Sequence, residues 1–300
     1  MIEHHPIFSK FQPYCGNVED GFNVDFIGAK SRCEFIAGAT SQAAAEVRTQ
    51  YPPIDDEYFE WVDVLQSVVS AKGIYTMIEL GAGYGRWAVR ASCALRQYRG
   101  GRFHLIAVEP EPTHFRWLQR HFLDNGIEPS EHTLVQGVVC DKKGLIRLYV
   151  GMPWEGKDQP DEWYGQEIAG QYEATSKKYR QAYGGFDLLE HPSGWKSIEV
   201  QSVELGGLIE NIETVHLIDL DVQGQELNVI ASAIEEINRK VVRLHIGTHS
   251  QEIEVGLRDL LARNGWQSNA DYACGSTNET PWGPVNFGDG VQSWLNPGLA

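Results

Sequence analysis

The chain has 300 residues, of which 42% are hydrophobic, enough to bury a core in one large α/β domain or two small ones. A net charge of −16 argues against a nucleic-acid substrate, because affinity for phosphate backbones comes mainly from Lys and Arg. The five scattered cysteines include no Cys-x-x-Cys pair, no run approaches the roughly 18 apolar residues of a membrane span, and the amino terminus lacks a basic-then-apolar leader; a soluble, cytoplasmic chain without disulfides or structural zinc is the expectation.

In chain order, residues 1–55 mix apolar side chains (Phe22, Phe26, Ile27, Phe35, Ile36) with turn formers and read as an irregular cap on the main domain. Pro52, Pro53, Asp55 and Asp56 predict a helix start, and Phe59, Val62, Leu65 and Val69 continue it at helical spacing to a stop at Gly73. Residues 75–80 form a strand that leads through Gly81, Gly83 and Gly85 into a helix over 86–95. Residues 103–108 are continuously apolar, as expected of a parallel strand buried on both faces, and 113–125 read as a helix stopped by Gly126. Strands follow at 133–139 and 145–150. An insert over 151–196, rich in Trp154, Trp163, Tyr164, Tyr172, Tyr179, Tyr183 and Trp195, breaks the alternation. Strand and helix resume at 197–208, 215–220, 225–238, 241–247 and 253–264. Near the carboxyl end, Asp289-Gly290 between apolar runs at 285–287 and 291–295 predicts a hairpin. The alternation predicts an α/β fold with a doubly wound, mostly parallel Rossmann-like sheet over 56–300, whose ligands sit beyond the carboxyl ends of the strands.

Polar residues just after strands are therefore the candidates for chemistry. Glu79-Leu80-Gly81-Ala82-Gly83-Tyr84-Gly85 delivers an acid and then three glycines at alternate positions, which lets a nucleoside cofactor approach the main chain. A dinucleotide fingerprint needs Gly-x-Gly-x-x-Gly, but Arg86 stands at its third glycine position. Glu79 also repels a pyrophosphate and suits the ammonium of a methionine moiety, so S-adenosylmethionine (SAM) is the better fit than NAD. Glu109 ends the next strand, placed to accept hydrogen bonds from ribose hydroxyls, and Gly137, Val138 and Val139 close a third strand where they could frame an adenine.

The run 217–226 carries Asp219, Asp221 and Glu226. Two carboxylates at alternate strand positions share a face, and burying both requires a cation, a shared proton or several donors. His249 falls just beyond the fifth strand, where a near-neutral imidazole serves as general base or metal ligand, whereas His245 within that strand reads as a hydrogen-bonded core histidine. Asp219, Asp221, Glu226 and His249 could converge on one point. A Mg²⁺ or Mn²⁺ held by Asp219, Asp221 and His249, and a metal-free acid and base pair, both fit this set.

With these motifs assembled, the sequence over about 57–266 resembles the class I SAM-dependent methyltransferases, and within them the FkbM family, through 79–85, Val108-Glu109-Pro110 and above all Asp221-Val222-Gln223-Gly224-Gln225-Glu226. The resemblance implies a seven-stranded sheet, with Glu79, Gly81, Gly83 and Gly85 at the methionine end of SAM, Glu109 at the ribose and Asp221 near the transferred methyl. It also implies O-methylation of a sugar, glycan or natural-product hydroxyl. Among the residues themselves His249 is the preferred base and Asp221 the next, and the aromatic insert reads either as a lid over a small-molecule or glycan acceptor or as a small satellite core. Two positions depart from the family pattern: Gln223 replaces an acid and Asp219 a lysine. An NAD-dependent oxidoreductase and a methyltransferase-like binding scaffold are the competing readings, and a homo-oligomer is compatible with either.

Overall fold

The computed structural model describes residues 4–36, 38–151, 166–169, 177–192 and 194–300; Trp154, Trp163, Tyr164 and Tyr172 of the insert lie outside them. The amino-terminal segment is more ordered than its composition suggests. It carries two 3-10 turns and four short strands, β1 (Cys15–Val18), β2 (Phe22–Val24), β3 (Lys30–Arg32) and β4 (Ala44–Arg48), paired β1 with β4 and β2 with β3. Phe8, Phe11, Phe26 and Ile27 enter the same core as the first two long helices, α1 (Tyr58–Ser70) and α2 (Arg86–Tyr98). The Arg90 guanidinium on α2 pairs with Asp25 at 2.9 Å and lies over the rings of Trp61 and Trp87, clamping the segment to both helices.

Between those helices runs β5 (Tyr75–Leu80), buried at all six positions as a strand covered on both faces must be. β6 (Phe103–Val108) lies beside it and leads to α3 (Pro112–Asp124). The 133–139 segment is two strands rather than one. β7 (Thr133–Val135) extends the main sheet, and β8 (Val138–Val139) leaves it for a second sheet. That second sheet also holds β9 (Leu145–Gly151), β10 (Lys177–Tyr183), β11 (Phe186–Glu190) and β12 (Lys196–Val203), so the strands described within the insert, β10 and β11, extend a sheet built from the segments that flank it.

After α4 (Leu205–Ile209) come β13 (Leu217–Leu220), α5 (Glu226–Ser232), α6 (Ile234–Lys240), β14 (Arg243–Thr248) and α7 (Gln251–Arg263). The helix read over 225–238 is broken at Ala233, whose φ of −123° is not helical. β15 (Gln267–Tyr272), β16 (Ser276–Thr280), β17 (Gly283–Phe287) and β18 (Gly290–Leu295) complete the chain. The hairpin expected at Asp289-Gly290 does not form: β17 pairs with β16, while β18 inserts antiparallel between β14 and β15. Both edges of β18 are thus occupied and its residues 290–294 are buried, so sheet pairing overrides the local turn signal.

The main sheet has the order β15-β18-β14-β13-β5-β6-β7, parallel from β14 through β7. From β5 the chain goes to β6 on one side and later returns to β13 on the other. The carboxyl ends of β5 and β13 therefore flank a topological switch point, where a crevice opens in such sheets. Among the described residues, no helix is long and apolar enough to cross a membrane.

Candidate functional site

A cavity of about 750 Å³ occupies that crevice, a size suited to a small-molecule ligand. Its walls come from the amino-terminal segment (Val24, Asp25, Phe35, Ile36), the glycine turn, Glu109, Val138, Val139, the ends of β13 and β14, and Asp289 to Val291. Gln166 and Ile168 of the insert also reach it.

The three glycines of the turn all have positive φ, +78°, +52° and +74°, but they do different work. Gly81 and Gly83 line the cavity, and a Cβ on Gly81 would collide with the Asp221 carbonyl oxygen. Gly85 is off the wall: it is the left-handed N-cap of α2, and a Cβ there would strike Leu118 of α3. Gly137 is likewise off the wall, at the point where the chain leaves the main sheet, with Val203 and the Gln201 carbonyl in the way of any side chain.

Glu79 faces α2 as well as the cavity. Its two oxygens accept hydrogen bonds from the Trp87 and Ala88 amides at 3.1 and 2.9 Å, satisfying donors that the first helical turn leaves open. Glu109 does the same for the turn itself, accepting from the Gly83 amide at 2.7 Å and the Glu111 amide at 2.8 Å. Both carboxyls are buried, which pushes each up to about 8. They hold the main chain of the turn in place while exposing little of themselves.

Asp219 lies directly between Glu79 on β5 and His245 on β14 in the parallel register. Its carboxyl is buried and hydrogen-bonds to Glu60 of α1, and burial together with the Asp219 charge drives Glu60 well above the usual range. His245 donates from Nδ1 to Asp63 at 2.8 Å; Asp63 also takes Arg243 at 3.0 Å and the Ser293 hydroxyl at 2.7 Å. This is a core network, with His245 as one of its members.

Asp221 sits one residue beyond β13, its amide donating to the Leu80 carbonyl at 2.9 Å and its half-exposed side chain on the cavity wall. Gln223 donates to Asp221 Oδ1 at 3.0 Å and is the only non-glycine residue with positive φ, 48°, among those described. With Gly224 at 93° it curls the chain so that the Val222 and Gly224 amides both meet Glu226 Oε1, at 3.3 and 2.9 Å. Glu226 is fully buried and also accepts from His249 Nδ1 at 2.9 Å.

His249 and Glu226 stand behind the wall, with Asp221 and Asp289 in front. The imidazole read there as near-neutral is shifted upward. Burial alone would lower its pKa, but the Glu226 hydrogen bond and the charges of Asp221, Glu226 and Asp289 outweigh that and hold it up at about 9. The single cation site expected from Asp219, Asp221 and His249 divides as well. Asp219 groups with Glu60 and His245, and Asp221 groups with Glu226 and His249, the ligand atoms of each set lying within 4.8 Å of one another.

Residues not foreseen from the sequence complete the walls: Glu60, Asp289, and Arg86, which forms a bidentate pair with Glu57. A helix-borne acid facing the sheet among Phe59, Trp61 and Val64 was the available signal for Glu60.

The sequence matches the Methyltransferase FkbM domain over residues 79–272, from the glycine turn to the end of β15. It is 29% identical over 219 residues to a Jannaschia sp. (strain CCS1) protein described as a methyltransferase, covering 73% of this chain and 72% of that one. Solved structures with related topology include a precorrin-6y C5,15-methyltransferase from Geobacter metallireducens GS-15 (10% identity, 78% of this chain and 85% of that one, TM-score 0.38) and the METTL16 MTase domain (10% identity, 97% and 89%, TM-score 0.41). Similarities that low add no weight to the match over residues 79–272, which by itself spans more than half of the sequence. The chain belongs to the FkbM methyltransferase family.

Proposed function

We propose that this protein is a SAM-dependent O-methyltransferase whose acceptor is a hydroxyl of a sugar, glycan or natural-product small molecule. The observation that carries the reading is the contact between Gly81 and Asp221: the turn that would receive the methyl donor and the carboxylate that would meet the acceptor belong to one wall.

SAM would supply a methyl group activated on a sulfonium. The chain's own residues fit it in size and charge. Gly81 and Gly83 leave the main chain open, Glu109 would meet the ribose, Val138 and Val139 would give an apolar face for a base, and Glu79 and Asp219 line the cavity where a cationic ligand would sit. Little more is asked of the protein than alignment and proton removal. Asp221 orients the acceptor hydroxyl and receives its proton; burial raises its pKa and so favours proton uptake, while His249 behind it, fixed by Glu226, opposes that rise from 3.4 Å. Gln166 and Ile168 place part of the 151–196 insert beside the cavity, consistent with a covering role over the acceptor.

The test is a thermal-shift comparison of SAM, S-adenosylhomocysteine and NAD, followed by a screen of hydroxyl acceptors for S-adenosylhomocysteine release. Stabilisation by the two adenosyl compounds and turnover with a hydroxylated acceptor are expected. Stabilisation by NAD alone would sink the reading.

A further inference from the structure

We propose that His249 Nε2, Asp221 and Asp289 form a site for one divalent cation of the Mn²⁺ type at the acceptor edge of the cavity. The inference rests on the reading of Asp221 as the acceptor end of the site and adds a ligand to it.

The first argument is the histidine's fixed orientation. His249 Nδ1 is committed to Glu226, which is fully buried and anchored by two backbone amides, so Nε2 is the nitrogen turned outward. A carboxylate that holds one ring nitrogen and thereby presents the other is the usual second layer of a metal-bound histidine.

The second is that the groups around Nε2 lack the partners their burial demands. Nε2 itself is buried and makes no hydrogen bond, and neither does Oε2 of the fully buried Glu226. A buried polar atom without a partner costs about 1–3 kcal/mol, and such atoms ask for an explanation. Nε2 faces Asp221 Oδ1 at 3.4 Å and Asp289 Oδ1 at 3.9 Å. Those separations are long for hydrogen bonds but suit ligands that share one ion through bonds of about 2.0–2.2 Å, whose donor atoms stand about 3–4 Å apart.

The third is charge. Three carboxylates, Asp221, Glu226 and Asp289, surround one imidazole that can carry a single positive charge. A dication in place of the Nε2 proton offsets that excess. One imidazole with carboxylates is a donor set for Mn²⁺ and its neighbours rather than for Mg²⁺, which prefers oxygen throughout. Gln223 steadies Asp221 Oδ1, and Asp221 and Asp289 are exposed enough on the wall to leave coordination positions open for acceptor oxygens. An acceptor bearing two neighbouring hydroxyls would chelate such an ion. The other acidic set is a poorer host, because His245 Nδ1 is taken by Asp63 and the Glu60 and Asp219 carboxyls are hydrogen-bonded to each other.

The test uses the full chain, stripped with a chelator and free of SAM, titrated with Mn²⁺ while the free-ion EPR signal is followed. One ion per chain is expected, with His249→Ala and Asp289→Asn each weakening binding at least tenfold and Glu60→Gln leaving it unchanged. Asp289→Asn alters an exposed side chain, so it tests the site even if His249→Ala does not fold. No binding at millimolar Mn²⁺, or binding lost in Glu60→Gln but kept in Asp289→Asn, would overturn the proposal. Because the readout needs neither cofactor nor turnover, its failure is separable from failure of SAM binding.

Discussion

Gly81 and Asp221 lie 140 positions apart in sequence, yet the carbonyl oxygen of Asp221 occupies the space that any side chain on Gly81 would need. This contact joins the carboxyl ends of β5 and β13, the two strands that flank the switch point, and brings the glycine turn and the acidic turn into one wall.

Gly81→Ala should therefore separate the two turns. A Cβ at φ +78° strains the backbone by about 1–2 kcal/mol before the collision is counted, and affinity for S-adenosylhomocysteine should fall at least tenfold. Gly85→Ala has a similar backbone cost but meets α3 instead, so it should lower stability with a smaller loss of affinity. Calorimetric titration paired with urea denaturation checks both. Equal affinity losses in the two variants would refute the division of labour among the glycines.

Asp221→Asn keeps the shape of the wall and removes its charge. Turnover should drop by about 10² or more, as for loss of a proton acceptor, while S-adenosylhomocysteine affinity stays within about threefold. His249→Ala should likewise depress turnover far more than cofactor affinity, since His249 touches Asp221 and Glu226 rather than the cavity. Parallel losses of binding and turnover in either variant would remove that residue from the chemical step.

Asp63 is a structural prediction. It is buried and is the common acceptor for Arg243, His245 and Ser293, which come from two strands of the main sheet. Asp63→Ala leaves a buried guanidinium without its carboxylate, a loss of about 3–5 kcal/mol. Urea unfolding that shows less than 1 kcal/mol would mean that Arg243 finds another partner.

His121 supplies a pH dependence of stability. Its Nδ1 donates to the Tyr84 carbonyl within the glycine turn at 3.0 Å, and the Ser31 hydroxyl meets its Nε2 at 3.3 Å. Burial depresses its pKa from 6.5 to about 4. A histidine depressed in the folded state contributes stability above the unfolded value, near pH 6.5, and that contribution drains away as pH falls towards 4. Between pH 7 and pH 5 this amounts to about 2 kcal/mol. His121→Gln cannot titrate, so its stability should fall less over the same interval in denaturant titrations at the two pH values. An identical fall in both proteins would show that other groups govern the acid limb.

The amino-acid sequence alone determined the features that depend on neighbours along the chain. The apolar runs of β5 and β6 specify buried strands, the glycine spacing marks a turn open to a ligand, and the 221–226 motif points to the family, because backbone preference and burial pattern act over a few consecutive residues. Only the tertiary structure decided the rest. Asp289-Gly290 looked like a hairpin until β14 and β15 took both edges of β18, and Asp219 looked like a partner of Asp221 until α1 brought Glu60 to it. His249 looked like a near-neutral imidazole until three carboxylates gathered round it and raised its pKa. Charge state and pairing depend on which side chains meet across the sheet, and strand order and register set those meetings between residues far apart in the chain.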